Sequence, residues 1–394
     1  MRGKLGGEEW RQGREMLALS PAARERLTCS AAYLDTHAEA RALPPRAPSK
    51  SGKRHNVMIC GNRRRFPAQA RPGNTIMVSS LASFRSPQHS VFEPAYLRLF
   101  RSGELAERAR SARRRLESCD LCARYCRIDR RQSIRGAVCR TGERAIVYSA
   151  FAHHGEERCL RGFRGSGTIF FSWCNLRCVY CQNWEIAWEG EGRETSDAEL
   201  AQMMLRLQAQ GCHNINFVTP SHVVAQILAA ANIAAEKGLR LPLVYNSSGY
   251  DSREALALLD GVVDIYMPDM KYGDDKSARK LSHIRDYVRV NQAAVREMHR
   301  QVGDLRISTE GLAERGLLVR HLVLPDGLSG AEAVLKFLAE EISTDTYLNL
   351  MGQYRPCHRA DEHPGLDRPF SRAELSEALT TAARCGLRRL DPGS

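Results

Sequence analysis

The chain is 394 residues long with 43% hydrophobic residues, enough for one large core with appendages rather than several equal domains. It has no run of eighteen consecutive apolar residues and no apolar N-terminal leader, which argues against a membrane span and a secretory signal and for a cytoplasmic protein. The net charge of +13 sits mainly in residues 1–90, with 16 Lys and Arg against 6 Asp and Glu, and in residues 101–145; the rest is slightly acidic, which disfavours nucleic-acid binding.

Residues 1–90 mix Pro, Ser, Arg and Ala without sustained periodicity and read as a disordered extension. A short helix over 8–18 is compatible with the pattern, and Met77 reads as an alternative start. Residues 91–164 form a helical and cysteine-rich segment. Leu97, Leu99, Leu105, Ala109 and Leu116 set a helical stripe, and Cys119, Cys122, Cys126 and Cys139 follow.

From residue 165 the pattern alternates. Strand candidates at 167–174, 215–220, 242–248, 264–270, 317–325 and 347–356 are separated by amphipathic stretches at 197–211, 222–238, 252–261 and 331–342. That order calls for right-handed βαβ units and a parallel sheet, here an α/β partial (β/α)6 barrel over 165–360, followed by a C-terminal helical region at 361–394. Such barrels keep their working site at the C-terminal ends of the strands.

Of the thirteen cysteines, seven fall in two tight groups, and in a chain without an export signal these read as metal ligands. Cys29, Cys60, Cys159, Cys212, Cys357 and Cys385 are isolated and read as small hydrophobes or tail residues. Cys174, Cys178 and Cys181 lie in SWCNLRCVYCQN, directly after the first strand. Three thiolates can hold an iron–sulfur cluster with one iron left open, whereas structural zinc takes four ligands. The competing reading is a zinc knuckle completed by Cys212 or His213, in a non-catalytic metal-binding module. The upstream four cysteines suffice for zinc or for a second [4Fe–4S] cluster, with Arg124, Arg127, Arg130, Arg131, Arg135 and Arg140 offsetting the thiolates.

The CxxxCxxC loop after the first barrel strand resembles the signature of the radical S-adenosylmethionine (SAM) superfamily. The phrases HHGEE, GSGTIFFSWCNLRCVYCQNWEI, GCHNINFVTPSH, VYNSSGYD, VDIYMPDMKY, VRHLVLP and NLMGQYRP are similar to the pyruvate formate-lyase activating enzyme-like branch, and within it to the PflX-like group. The resemblance implies a [4Fe–4S] cluster on Cys174, Cys178 and Cys181, reductive cleavage of SAM to a 5′-deoxyadenosyl radical, and hydrogen abstraction. It implies Tyr180 near the adenine, Asp269 and Lys271 at SAM, and Arg320 on the SAM carboxylate; an Arg320–Asp269 ion pair is the structural alternative. The superfamily's Gly-Gly-Glu-type motif is replaced here by Thr219-Pro220-Ser221-His222, so Thr219 or Ser221 takes the ammonium contact. Asn246 is a partner for ribose or methionine, while His222, Gln353, Tyr354 and Arg355 line the substrate opening. The partners implied are a glycyl-radical enzyme and a flavodoxin- or ferredoxin-type electron donor. Other substrates, small or macromolecular, remain open.

Overall fold

A computed structural model describes residues 92–393, so the short helix at 8–18, the extension at 1–90 and Met77 lie outside the described residues. The sheet has nine strands: β1 (Ala145–His153), β2 (Ser166–Phe171), β3 (Arg193–Thr195), β4 (Ile215–Val218), β5 (Leu243–Ser247), β6 (Ile265–Pro268), β7 (Arg306–Ile307), β8 (Ala313–Leu322) and β9 (Tyr347–Met351). The order β2-β4-β5-β6-β8-β9 is parallel throughout, and the six expected strands are these six. The fold is a mixed α/β architecture around a mostly parallel, open sheet.

The helices are α1 (Tyr96–Arg101), α2 (Glu104–Arg114), α3 (Arg158–Arg161), α4 (Asp197–Ala209), α5 (Val224–Glu236), α6 (Arg253–Leu259), α7 (Asp275–Ser282), α8 (Tyr287–Val302), α9 (Ala331–Phe337) and α10 (Arg372–Arg384). Ser196 starts α4 with a reciprocal capping box to Glu199. The sequence pattern has no element for α7 and α8. The buried face of α8 repeats at Tyr287, Asn291, Ala294, Val295, Met298 and Val302, and its polar Asn291 hides the stripe.

β1 is also unexpected. It pairs antiparallel with β2, from Val147 opposite Phe171 to His153 opposite Ser166, and with β3. The sheet therefore begins at Ala145, upstream of the expected boundary at residue 165.

Strand alternation divides the interior in two. Ile215, Phe217, Leu243, Tyr245, Tyr266, Leu317, Val319, Leu348 and Leu350 face the helices and join the main core. Val244, Ile265, Met267, Leu318 and Tyr347 form a second core with Cys159 and Leu160 of α3. That second set is the concave face, and α3 packs into it as a plug. Toward the C-terminal ends this face turns polar, with Asn246 beside Met267 and Arg320 beside Asn349.

Candidate functional site

β2 ends at Phe171, and Trp173 takes a left-handed backbone (φ 65°) that turns the chain into the three-cysteine loop. Leu176 and Val179 are 2% and 1% exposed and anchor the loop from below. The backbone N–H of Val179 donates to Leu281 O (2.9 Å) and that of Arg177 to Ser282 O (3.3 Å), tying the loop to α7. Between these anchors Cys174, Cys178 and Cys181 are half-buried. Ser282 Oγ donates to Cys178 Sγ (2.9 Å), and Leu176 N–H to Cys174 Sγ (3.3 Å). Burial, then the neighbouring Cys178, pushes the Cys174 thiol up to about 11; Cys181 is raised further for the same reasons. The Lys271 charge opposes the rise at all three, and its neighbour Tyr272 reaches the loop's supports, with Oη 2.5 Å from Ser282 Oγ and 2.8 Å from Tyr180 Oη.

Among the described residues no three His, Cys, Asp or Glu side chains converge on a single-ion position. Cys212 and His213 precede β4, while the cysteine loop follows the far end of β2. Gly167 of β2 aligns with Ile215, so the two places are separated by at least four ladder steps of about 3.3 Å each. A knuckle completed by Cys212 or His213 is thereby ruled out. The donors that remain, three soft thiols on one loop with a cation beside them, fit a [4Fe–4S] cluster.

Asp269 and Lys271 follow β6 and share a face, as alternation requires. Lys271 Nζ meets Asp269 Oδ2 at 2.5 Å, with the side chains 19% and 20% exposed. Burial opposes the lysine charge, but Asp269 and Cys178 hold it well above the ordinary lysine range. Tyr287 Oη receives Lys271 N–H (2.9 Å), fixing the turn.

Arg320 departs from both expectations. Its guanidinium is gripped by Glu156 and Glu157, with Nε to Glu157 Oε1 at 2.6 Å and Nη2 to Glu157 Oε2 at 2.6 Å. Asn349 Nδ2 adds a 2.7 Å bond to Glu157 Oε1. Burial would raise Glu157, but Arg320 holds its carboxyl below the usual range. With Asp269, Arg320 shares a strand bridge rather than a side-chain ion pair. The physical reason is the plug: the turn leading into α3 presents two carboxylates, 5% and 1% exposed, to the arginine. Glu156, Glu157 and Asn349 were missed as site residues. The signal was available, because an arginine on a buried strand face demands carboxylates and HHGEE supplies two.

Several other expectations shift. Ser221 is buried beside the network in which Tyr245 Oη (2.8 Å) and Ser247 Oγ (2.7 Å) donate to Asp251, whose neighbour Tyr250 accepts at its carbonyl from Asn175 Nδ2 of the three-cysteine loop (2.8 Å). Thr219 has φ 62° and donates its N–H to Asn246 O (3.0 Å). Asn246 is 8% exposed on the concave face. Asn216, on the same face, is fully buried with both amide atoms unpaired among the described residues. His222 is 1% exposed with Nε2 3.0 Å from Ser172 O, and burial lowers it to about 3, so it is a neutral structural histidine rather than a lining residue. Tyr180 is 4% exposed, packs edge-on to Tyr354 at 6.0 Å and hydrogen-bonds Tyr272 (2.8 Å). Tyr354 is itself buried, donating to Leu366 O (2.6 Å), so it supports the loop rather than lining an opening. Gln353 is exposed and Arg355 half-buried at the end of β9.

Of the upstream cysteines, Cys119, Cys122 and Cys139 are buried and Cys126 half-buried. A hydrogen bond from Cys126, with the charge of Arg130, lowers the Cys119 thiol to about 5, while burial and then the neighbouring Cys139 raise Cys122. Cys126 lies against Cys119, its Sγ 3.9 Å from Cys119 O, and Arg130 joins Cys119 Sγ to Thr141, two residues after Cys139.

An open parallel α/β sheet with a three-thiol loop at the end of its first parallel strand defines a metal-thiolate barrel enzyme class. Residues 168–310 match the Radical SAM superfamily. The chain is 30% identical over 281 residues to the uncharacterized protein MJ0674 of Methanocaldococcus jannaschii, covering 69% of this chain and 76% of that protein. The chain belongs to the radical SAM superfamily. Similar solved structures include TYW1 with a lysine-pyruvate adduct bound (TM-score 0.36, 10% identity, 55% of this chain and 73% of that one). A radical SAM methyltransferase from Sphaerobacter thermophilus (0.38, 16%, 57% and 67%) and methylornithine synthase, PylB (0.39, 13%, 76% and 76%) are others.

Proposed function

We propose that this chain is a SAM-cleaving enzyme whose cluster is held by Cys174, Cys178 and Cys181, and that it activates a glycyl-radical enzyme of the pyruvate formate-lyase type. The observation that supports the first half is the hydrogen-bonded path from Cys178 through Ser282 to Tyr272, which follows the Asp269–Lys271 pair at the end of β6. When bound, cluster and SAM together supply one-electron cleavage of the sulfonium and an adenosyl radical able to abstract hydrogen. The chain's own residues orient and shelter. Lys271 offers a desolvated cation to a carboxylate, with Asp269 free to accept from an ammonium. Leu176, Val179 and the Tyr180–Tyr272–Tyr354 cluster keep water from beneath the loop.

Supporting the second half is the similarity of the motif phrases to the activating enzymes, with a backbone glycine of the partner as hydrogen donor. Electrons would come from a flavodoxin- or ferredoxin-type protein. A second reading, a small polar substrate, draws support from the buried lumen groups Asn216, Asn246 and Glu156, with the half-buried Asn349 beside them. No helix among the described residues is long and apolar enough to cross a membrane.

The test is anaerobic reconstitution, dithionite reduction and addition of SAM. Formation of 5′-deoxyadenosine is expected, and its absence from a fully loaded [4Fe–4S] preparation would overturn the reading. A glycyl-radical signal by electron paramagnetic resonance, upon adding a glycyl-radical enzyme encoded in the same genome, separates the two substrate readings.

A further inference from the structure

Arg130 is 2% exposed, among the most buried large side chains of the fold. Its guanidinium donates to Thr141 O (2.7 Å), Gly142 O (3.1 Å), His222 O (2.8 Å) and Cys119 Sγ (3.5 Å). Among the described residues no carboxylate pairs with it, whereas Arg320, less enclosed at 16% side-chain exposure, has two. A guanidinium removed from water requires a counter-charge. The anionic groups that the fold places around Arg130 are sulfurs, and a metal centre with four thiolates carries net negative charge.

The backbone gathers those sulfurs from two turns. Cys119 N–H donates to Ile128 O and Arg127 N–H to Cys119 O, both at 3.0 Å, folding Cys126 against Cys119. Thr141 Oγ1 donates to Cys139 O (2.8 Å), and Arg130 holds Thr141 in turn. The sulfurs do not converge on one ion position, and neither do those of the radical SAM loop. In both groups they are turned toward hydrogen-bond partners, Arg130 for Cys119 and Ser282 for Cys178, and rotation about χ1 redirects them.

Three links join this group to the radical SAM loop. Arg124 Nε donates to Asn175 O (2.7 Å), between Cys174 and Cys178. Arg177, from within that loop, returns a hydrogen bond to Val138 O, next to Cys139. Arg130 holds the carbonyl of His222, whose ring meets Ser172 O (3.0 Å) at the end of β2. We propose that Cys119, Cys122, Cys126 and Cys139 hold a second metal centre, closed by four thiolates and balanced by Arg130, which braces the loop bearing Cys174, Cys178 and Cys181. Its occupant is zinc or an iron–sulfur cluster, both of which take this donor set.

Full-length protein carrying Cys174→Ala, Cys178→Ala and Cys181→Ala, purified anaerobically, isolates the second centre from the first. Elemental analysis should find about one zinc per chain in colourless protein, or about four irons with thiolate-to-iron absorption. Either result supports the site and names its metal. A folded triple variant with less than about a tenth of either content overturns the proposal. Adding Cys122→Ser and Cys139→Ser should remove that metal, and metal retained there also overturns it. Native mass spectrometry of the unmutated chain keeps the test open if the variants fail to fold: cluster plus a second metal is expected, and a single four-iron cluster alone refutes it. Cys122→Ser/Cys139→Ser in the otherwise native chain should lower iron loading at the radical SAM loop, and unchanged loading there removes the bracing role. None of these readouts depends on SAM cleavage.

Discussion

Two cations stand on the concave face of the sheet, one near its mouth and one above the plug, and their surroundings differ. Arg320 meets two carboxylates that are 5% and 1% exposed, with Asn349 filling a further acceptor site. Lys271 meets one carboxylate at about a fifth exposure, beside three thiols. A charge saturated by its own chain stabilises the fold, and a charge with a single, half-open partner can exchange it for a ligand. Arg320, level with Asp269 on the neighbouring strand, is therefore built for stability, and Lys271 two residues beyond Asp269 for chemistry.

Cys178→Ala is the strongest test of the mouth. It should abolish 5′-deoxyadenosine formation and remove about four irons per chain, while the urea midpoint moves by less than the equivalent of about 1 kcal/mol. Arg320→Met should leave two carboxylates buried without a counter-charge and cost about 3–5 kcal/mol in urea unfolding. If that variant kept its stability and lost only SAM binding, Arg320 would serve the ligand as Lys271 does and the comparison would break. Lys271→Met should show the converse, weakening SAM binding about tenfold, equivalent to about 1.4 kcal/mol, in equilibrium dialysis. Its stability loss should be smaller than that of Arg320→Met.

A pH dependence of stability is expected at His321, next to Arg320 in β8. His321 is buried, with Nδ1 donating to Met270 O (2.6 Å) and Nε2 near Ser329 Oγ (3.2 Å). Burial lowers it to about 4 from the ordinary 6.5. The unfolded chain therefore takes up the proton first as pH falls. The stability conferred by neutral His321 is complete above about pH 6.5 and drains away toward pH 4, by at most about 1.4 kcal/mol per unit. His321→Gln should reduce the slope in that window in unfolding experiments run from pH 7 to 4, buried His222 supplying a further part of it, and an unchanged slope would assign the dependence elsewhere.

Much of this was legible in the residues. The six parallel strands could be placed because each is a short, β-rich run flanked by a helical stripe, and both faces of a parallel sheet must be apolar. The three-thiol loop was legible because its ligands are local. By contrast β1, α7 and α8 were not, since β1 gains its meaning only from pairing with β2, and α8 hides its core stripe behind Asn291. Ser221 and His222 looked like mouth residues from their place after a strand, yet the backbone turn at Thr219 directs them into the protein.

The order of the six parallel strands, the spacing of Cys174, Cys178 and Cys181, and the pairing of Asp269 with Lys271 came from the chain alone, because each depends on residues only a few positions apart. The partners of Arg320 and Arg130 did not. Glu157 lies 163 residues from Arg320, and His222 lies 92 from Arg130. Which buried charge meets which counter-charge depends on how α3 plugs the lumen and how the cysteine-rich turns pack on the loop, and no periodicity encodes a distance across the fold.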